Sequence, residues 1–207
     1  MLFQTLWFIV LWLLVVVPIL IAVAYFTLVE RKILGSIQRR RGPNVIGFFG
    51  ILQPLSDGFK LLVKEILLPS SSNKILFIIA PFITFVLSLM NWVLIPITGS
   101  SSIFQTPLSI LFVFAVSSLG VYGVLISGWA SNSKYAFLGS LRSAAQMLSY
   151  EVSLGFIIII FFLFSGSLDF ISIVVIQENF WFVCLFPALF AIFFTTALAE
   201  TNRHPFD

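Results

Sequence analysis

Ala144-Ala145-Gln146-Met147-Leu148-Ser149-Tyr150-Glu151-Val152-Ser153-Leu154-Gly155 runs directly into an isoleucine- and phenylalanine-rich segment that ends at Phe164. The segment is long and apolar enough to cross a bilayer as a helix, which sets the class of fold, and it carries one acid. With a helix starting near Ser143 and rising about 1.5 Å per residue, Glu151 lies on the order of 12 Å inside the hydrocarbon layer. An ionised carboxylate at that depth costs roughly 2.5 to 3.5 kcal/mol, so it should face protein or water and serve a purpose there. A proton-handling acid is the leading reading. The alternative is a neutral, protonated Glu151 hydrogen-bonded to a neighbouring helix as packing glue.

Composition extends this reading to the whole chain. Of 207 residues, 60% are hydrophobic and 9% charged, outside the range of a soluble domain. An integral membrane protein follows. The one cysteine, Cys184, cannot build a disulfide framework or hold an iron–sulfur cluster, which needs about four thiolate or imidazole ligands. With one histidine, His204, no metal site is expected. Nucleic-acid binding is not expected either, because the basic run has no aromatic stacking platform interleaved with it. The first apolar run is too long for the core of a cleavable signal and reads as a retained helix. The 25 phenylalanines and abundant isoleucine hint at an AT-rich, organellar genome.

Outward from Glu151, the pattern predicts an all-α polytopic membrane protein in a single membrane domain, with about five transmembrane helices near 3–28, 75–97, 108–127, 143–164 and 180–199. Pro18, Pro81 and Pro187 are expected kinks, which neighbouring helices must accommodate. Ser117, Ser118, Gly120 and Gly123 supply small residues for close helix packing. Gln53-Pro54 opens an amphipathic helix near 54–68, with Leu55, Phe59, Leu62, Val63 and Ile66 on one face and Ser56, Asp57, Lys60 and Lys64 on the other. It is too short and too charged to span, so it should lie at the membrane interface or against a soluble partner. The residues 166–178 read as a connector.

Charge sets the orientation. Five of the eleven Lys and Arg residues fall between positions 31 and 41, a positive-inside anchor on the simplest reading. That loop, the Lys134 and Arg142 segment and the Arg203 tail are expected on one side, and the uncharged and acidic connectors on the other; Lys74 reads as a mild exception.

Six motifs in register are familiar: Glu30-Arg31-Lys32; Arg41-Gly42-Pro43-Asn44; Gln53-Pro54 with Asp57, Lys60, Lys64 and Glu65; Gly128-Trp129-Ala130-Ser131-Asn132; Ser149-Tyr150-Glu151-Val152; and Glu200-Thr201-Asn202-Arg203. From the first span to the last residue the chain resembles subunit 1, or its bacterial counterpart, of proton-pumping NADH:ubiquinone oxidoreductase, respiratory complex I. The resemblance implies a membrane subunit that forms much of the quinone chamber and couples quinone reduction to proton translocation. By motif match, Glu30, Arg31, Asp57, Lys60 and Arg203 would contact or gate the quinone, and Tyr150, Glu151 and Glu200 would lie on the proton path. Ubiquinone would be shared with other subunits, which would also hold NADH, FMN and the iron–sulfur clusters. Partners would be the quinone-module hydrophilic arm, adjacent membrane subunits and lipid, in the mitochondrial inner membrane, with a bacterial plasma membrane as the alternative.

Two departures from the family accompany the match. His204 stands where a small residue is usual, and after Pro205-Phe206-Asp207 the family continues into a strongly acidic loop and roughly three more spans. A companion polypeptide is expected to supply these, with truncation as the other explanation. Two other functions also suit membrane acids and kinked helices: a stand-alone ion or solute transporter, and a purely structural anchor for a hydrophilic arm.

Overall fold

The computed structural model describes residues 2–96, 102–178, 180–203 and 206, with side chains from residue 9 onward. His204 lies outside the described residues. Every regular element among them is helical. Four helical segments are long and apolar enough to cross a membrane: Ile9–Ile37, Lys74–Val93, Ser109–Ala130 and Lys134–Ser165. The all-α polytopic membrane fold is as expected, and the chain divides into two compact units, Met1–Leu67 and Leu68–Asp207.

In the first unit, α1 (Leu2–Ile37) continues through Pro18 and runs well past the apolar stretch. Its end is a Schellman motif: Arg40 N–H donates to Gly35 O (2.8 Å) and Arg39 N–H to Ser36 O (3.0 Å), with Arg39 in the left-handed region at φ 55°. The chain then doubles back on the helix it has left. Gly42 lies so close that a Cβ there would sit 2.9 Å from Lys32 Cα, and a Cβ on Gly50 would sit 2.4 Å from Pro43 O. After a 3-10 turn (Phe48–Gly50) comes α2 (Gln53–Val63), with Pro54 in its first turn. Pro54 fits there because its missing N–H is one the helix leaves unpaired in any case.

The second unit is a row of packed helices: α3 (Lys74–Met90), α4 (Ser109–Ala130), α5 (Lys134–Ser165) and α8 (Pro187–Glu200), each against the next. Gly123 sets the α3–α4 approach, since a Cβ there would meet Thr84 Cγ2 at 2.1 Å and Ala80 O at 3.3 Å. Gly128 does the same where α4 turns into α5, against Ser140. Gly120 has open space around it and contributes no such contact.

At one end of the unit, Asn73 N–H donates to Ala130 O (3.0 Å) and Asn132 Nδ2 to Ser71 O (3.1 Å). The start of α3 is thereby tied to the α4–α5 turn, so Lys74 and Lys134 share an end. Lys74 is therefore no exception to the charge pattern. At the other end, Ser109 Oγ donates to Leu168 O (3.2 Å) and accepts from Phe170 N–H (2.9 Å).

Residues expected to form a plain connector fold here into α6 (Phe170–Gln177). Phe170, Ile173 and Gln177, on one helical face, line an apolar cavity. The segment expected to be one fifth span is broken into α7 (Phe182–Leu185) and α8 at Phe186, whose φ of −130° and ψ of 64° are not helical. Pro187 disfavours helical backbone at the residue before it, and itself sits at the first turn of α8.

Candidate functional site

The sequence-predicted residues fall into two groups. The first is built where α1 leaves its apolar stretch. Asp57, one turn into α2, accepts from Arg31 Nη1 at Oδ2 (2.8 Å) and from Gln53 Nε2 at Oδ1 (3.0 Å), so both of its oxygens are engaged. The Arg31 hydrogen bond first, and the Gln53 one after it, hold the Asp57 carboxyl below its ordinary value, with Lys60 on the next turn adding a smaller pull. Lys32 Nζ donates to Phe49 O, which fastens the returning loop to α1. Glu30 sits half-buried on α1 beside this group. Gln53 carried no predicted role; its spacing of four residues from Asp57 was the available signal.

The second group lies where α8 ends against α5. The last helical residue of α8 is Glu200, and a second Schellman motif follows: Asn202 N–H donates to Ala199 O (3.3 Å) and Arg203 N–H to Leu198 O (3.2 Å), with Asn202 at φ 49°. Asn tolerates that left-handed position better than most residues, and its Nδ2 donates to Ser143 Oγ on α5 (2.9 Å). One turn on, Gln146 Nε2 donates to Ala199 O (3.0 Å) and to Phe206 O (3.1 Å). The Tyr150 ring meets Phe206 edge-on at 5.7 Å between centroids.

Thus Ser143, Gln146 and Tyr150 form a stripe on α5 that clamps the end of α8. Glu200 is held within electrostatic reach of Glu151. Because α5 starts at Lys134 and not near Ser143, the depth of Glu151 is better counted from the other end of the helix. Fourteen residues separate it from Ser165, about 21 Å, which keeps it inside a hydrocarbon layer about 30 Å thick.

Glu200 also reaches the wall of a cavity of about 540 Å³ bounded by Leu154, Phe161, Phe190 and Phe193, with Asn91 and Ser117 among its few polar groups. Both Glu151 and Glu200 are half-buried. Arg203 is exposed just past the α8 cap. Gln146 and Ser143 carried no predicted role. An amide on an apolar helix was the readable signal, because such groups need a partner inside a membrane.

The NADH dehydrogenase family profile matches residues 10–207. The chain belongs to this family. Among members of the NADH dehydrogenase family, NADH-ubiquinone oxidoreductase chain 1 of Chondrus crispus is 58% identical over 194 residues, covering 93% of this chain and 59% of the relative. A bacterial NADH-quinone oxidoreductase subunit, from Paramagnetospirillum magneticum, is 54% identical over 193 residues, 93% of this chain and 57% of its own length. The wheat (Triticum aestivum) chain 1 is 52% identical with coverage of 93% and 59%. The chain therefore spans under two thirds of the length of these curated relatives. The family is the one that the six motifs resembled.

Proposed function

We propose that the chain is a core membrane subunit of NADH:quinone oxidoreductase, which helps form the quinone chamber and couples quinone reduction to proton translocation. The observation that carries this reading is that Glu200, at the wall of a cavity, lies within electrostatic reach of Glu151 on the adjacent apolar helix, in a member of the NADH dehydrogenase family. Two carboxylates close together in a poorly solvated place do not titrate independently. A proton gained by one alters the affinity of the other, and a change of charge or helix position nearby moves protons between them. Tyr150, packed on Phe206, belongs to the same path.

The Arg31–Asp57 pair, with Glu30 and Lys60, is proposed to contact or gate the quinone, and Arg203 is proposed to contact it as well. Quinone is the substrate. Electron transfer from NADH through FMN and iron–sulfur clusters is assigned to other subunits, since one cysteine, Cys184, and one histidine, His204, are too few to hold an iron–sulfur cluster. The partners proposed are the quinone-module hydrophilic arm and neighbouring membrane subunits. The mitochondrial inner membrane is the proposed location.

The test is Glu151→Gln in the intact assembly. Proton translocation is expected to be lost while NADH oxidation with artificial acceptors continues. Normal proton stoichiometry in that variant would remove Glu151 from the path. A variant that loses assembly and keeps coupling in the residual complex would favour a structural anchor.

A further inference from the structure

Where α4 turns into α5, the second unit carries two neighbouring concavities that share Trp129 and Phe137. One, of about 370 Å³, is bounded by Gly128, Asn132, Ser133 and Lys134. The other, of about 330 Å³, is bounded by Leu76, Leu125 and Ile126. The two shared rings meet edge-on at 5.7 Å between centroids. The level of both concavities in the membrane follows from the fold. Nineteen residues separate Ile110 from Trp129 on α4, about 29 Å, close to the roughly 30 Å of a hydrocarbon layer, so Trp129 stands at its edge. Leu125 and Ile126 lie about one turn deeper, and Leu76 and Phe137 sit just inside Lys74 and Lys134, where α3 and α5 begin. The polar concavity is thus at headgroup level and the apolar one just beneath it. The Asn73–Ala130 and Asn132–Ser71 hydrogen bonds keep α3 and the α4–α5 turn in that register.

The chemistry of the lining changes across that boundary. Lys134 lines the outer concavity, and among the described residues no acid pairs with it. Ser133 precedes α5 without turning its hydroxyl onto the helix, whereas the Asn132 amide is committed to Ser71 O. The cation and the hydroxyl are therefore the groups left for a ligand. Leu76, Leu125 and Ile126 offer the inner concavity nothing but hydrocarbon. Trp129 and Tyr135 are 69% and 87% exposed, at the level where such rings sit among headgroups. A soluble anion would answer Lys134 and leave the apolar groove bare. An uncharged lipid would fill the groove and leave the cation without a counter-charge. A soluble protein would meet the outer concavity but not reach a groove that lies within the hydrocarbon layer. One molecule with a negative charge at the outer level and an acyl chain at the inner one satisfies both.

We propose that the two concavities form one site for an anionic phospholipid, with its phosphate at Lys134 and Ser133 and the upper part of an acyl chain along Leu76, Leu125 and Ile126. The Trp129 and Phe137 rings flank the glycerol between them. The site is separate from the Glu151–Glu200 and Arg31–Asp57 groups and does not depend on the function proposed above.

The experiment uses the full chain in its native membrane assembly, photolabelled with phosphatidylglycerol bearing a diazirine near the top of one acyl chain, or with the matched phosphatidylcholine, and the labelled residues mapped by mass spectrometry. Labelling at Leu76 and within residues 125–137 is expected from the anionic probe and little from the zwitterionic one. Lys134→Gln should lower the anionic labelling on the order of fivefold, and Lys134→Arg should keep most of it. Equal labelling by the two probes would overturn the proposal, as would no labelling of these residues or labelling that Lys134→Gln leaves unchanged. So would zero-length cross-links joining Lys134 to an acidic residue of another protein, which would make the outer concavity a protein-docking surface. The comparison of probes on the unsubstituted chain decides the matter even where a variant fails to assemble.

Discussion

Asp57 and Gln146 carry the two groups of candidate residues, and each yields a prediction of its own. Asp57 has a carboxyl held below its ordinary range, chiefly by Arg31. A group whose folded-state pKa is lowered contributes stability that is complete above the ordinary carboxylate value and is lost as pH falls below it. The Arg31–Asp57 pair should therefore stay intact throughout the neutral range and open only in acid. Arg31→Gln should move the Asp57 titration back up towards the ordinary range, visible in the infrared carboxyl band of isotope-labelled aspartate; an unmoved band would show that Gln53 alone sets it. Gln146 joins two backbone carbonyls, one at the end of α8 and one beyond it. Gln146→Ala should cost about 1–2 kcal/mol in thermal unfolding. It should also reduce protons pumped per electron pair, because Glu200 loses its fixed position opposite Glu151. Loss of stability with unchanged stoichiometry would leave Gln146 a packing residue only.

At the scale of elements, helix ends do as much to position groups as helix faces do. Arg39, Asn132 and Asn202 all adopt left-handed backbone just after a helix, and the two asparagines use their side chains to reach another segment. Gly123 governs how closely α3 and α4 approach. Thr84 can make room for a Cβ there only by turning a β-branched side chain whose hydroxyl donates to Pro81 O (2.9 Å). Gly123→Ala should thus destabilise by about 1–3 kcal/mol, and Thr84→Ala should recover much of the loss in the double variant. Thermal unfolding of the purified protein measures both, and additivity of the two substitutions would count against the contact. The break at Phe186 was half legible. Pro187 announced a kink, but the non-helical backbone before it depends on how α7 and α8 each pack.

For the molecule as a whole, charge is segregated within the second unit. Lys74, Lys134, Arg142 and Arg203 lie at or near the end where α3 and α5 begin and α8 stops, while Asp169 and Glu178 lie beyond the opposite end. This is the arrangement that the positive-inside rule selects during insertion. With Cys184 replaced by serine, a cysteine at Ser133 should react with an impermeant maleimide from the side of synthesis, and one at Glu178 from the other side. Labelling of both from one side would overturn the orientation.

The sequence by itself determined the helical membrane class, the amphipathic start at Gln53-Pro54 and the family, because hydropathy, proline placement and local motifs are properties of neighbouring residues. Tertiary structure alone decided that Arg31 reaches Asp57, that Gln146 spans to the end of α8, that 170–177 is a helix facing a cavity, and that Lys74 sits with Lys134. Each of these contacts joins segments far apart in the chain or depends on what packs against them, and no local pattern encodes which distant partner a polar side chain will find once water is excluded.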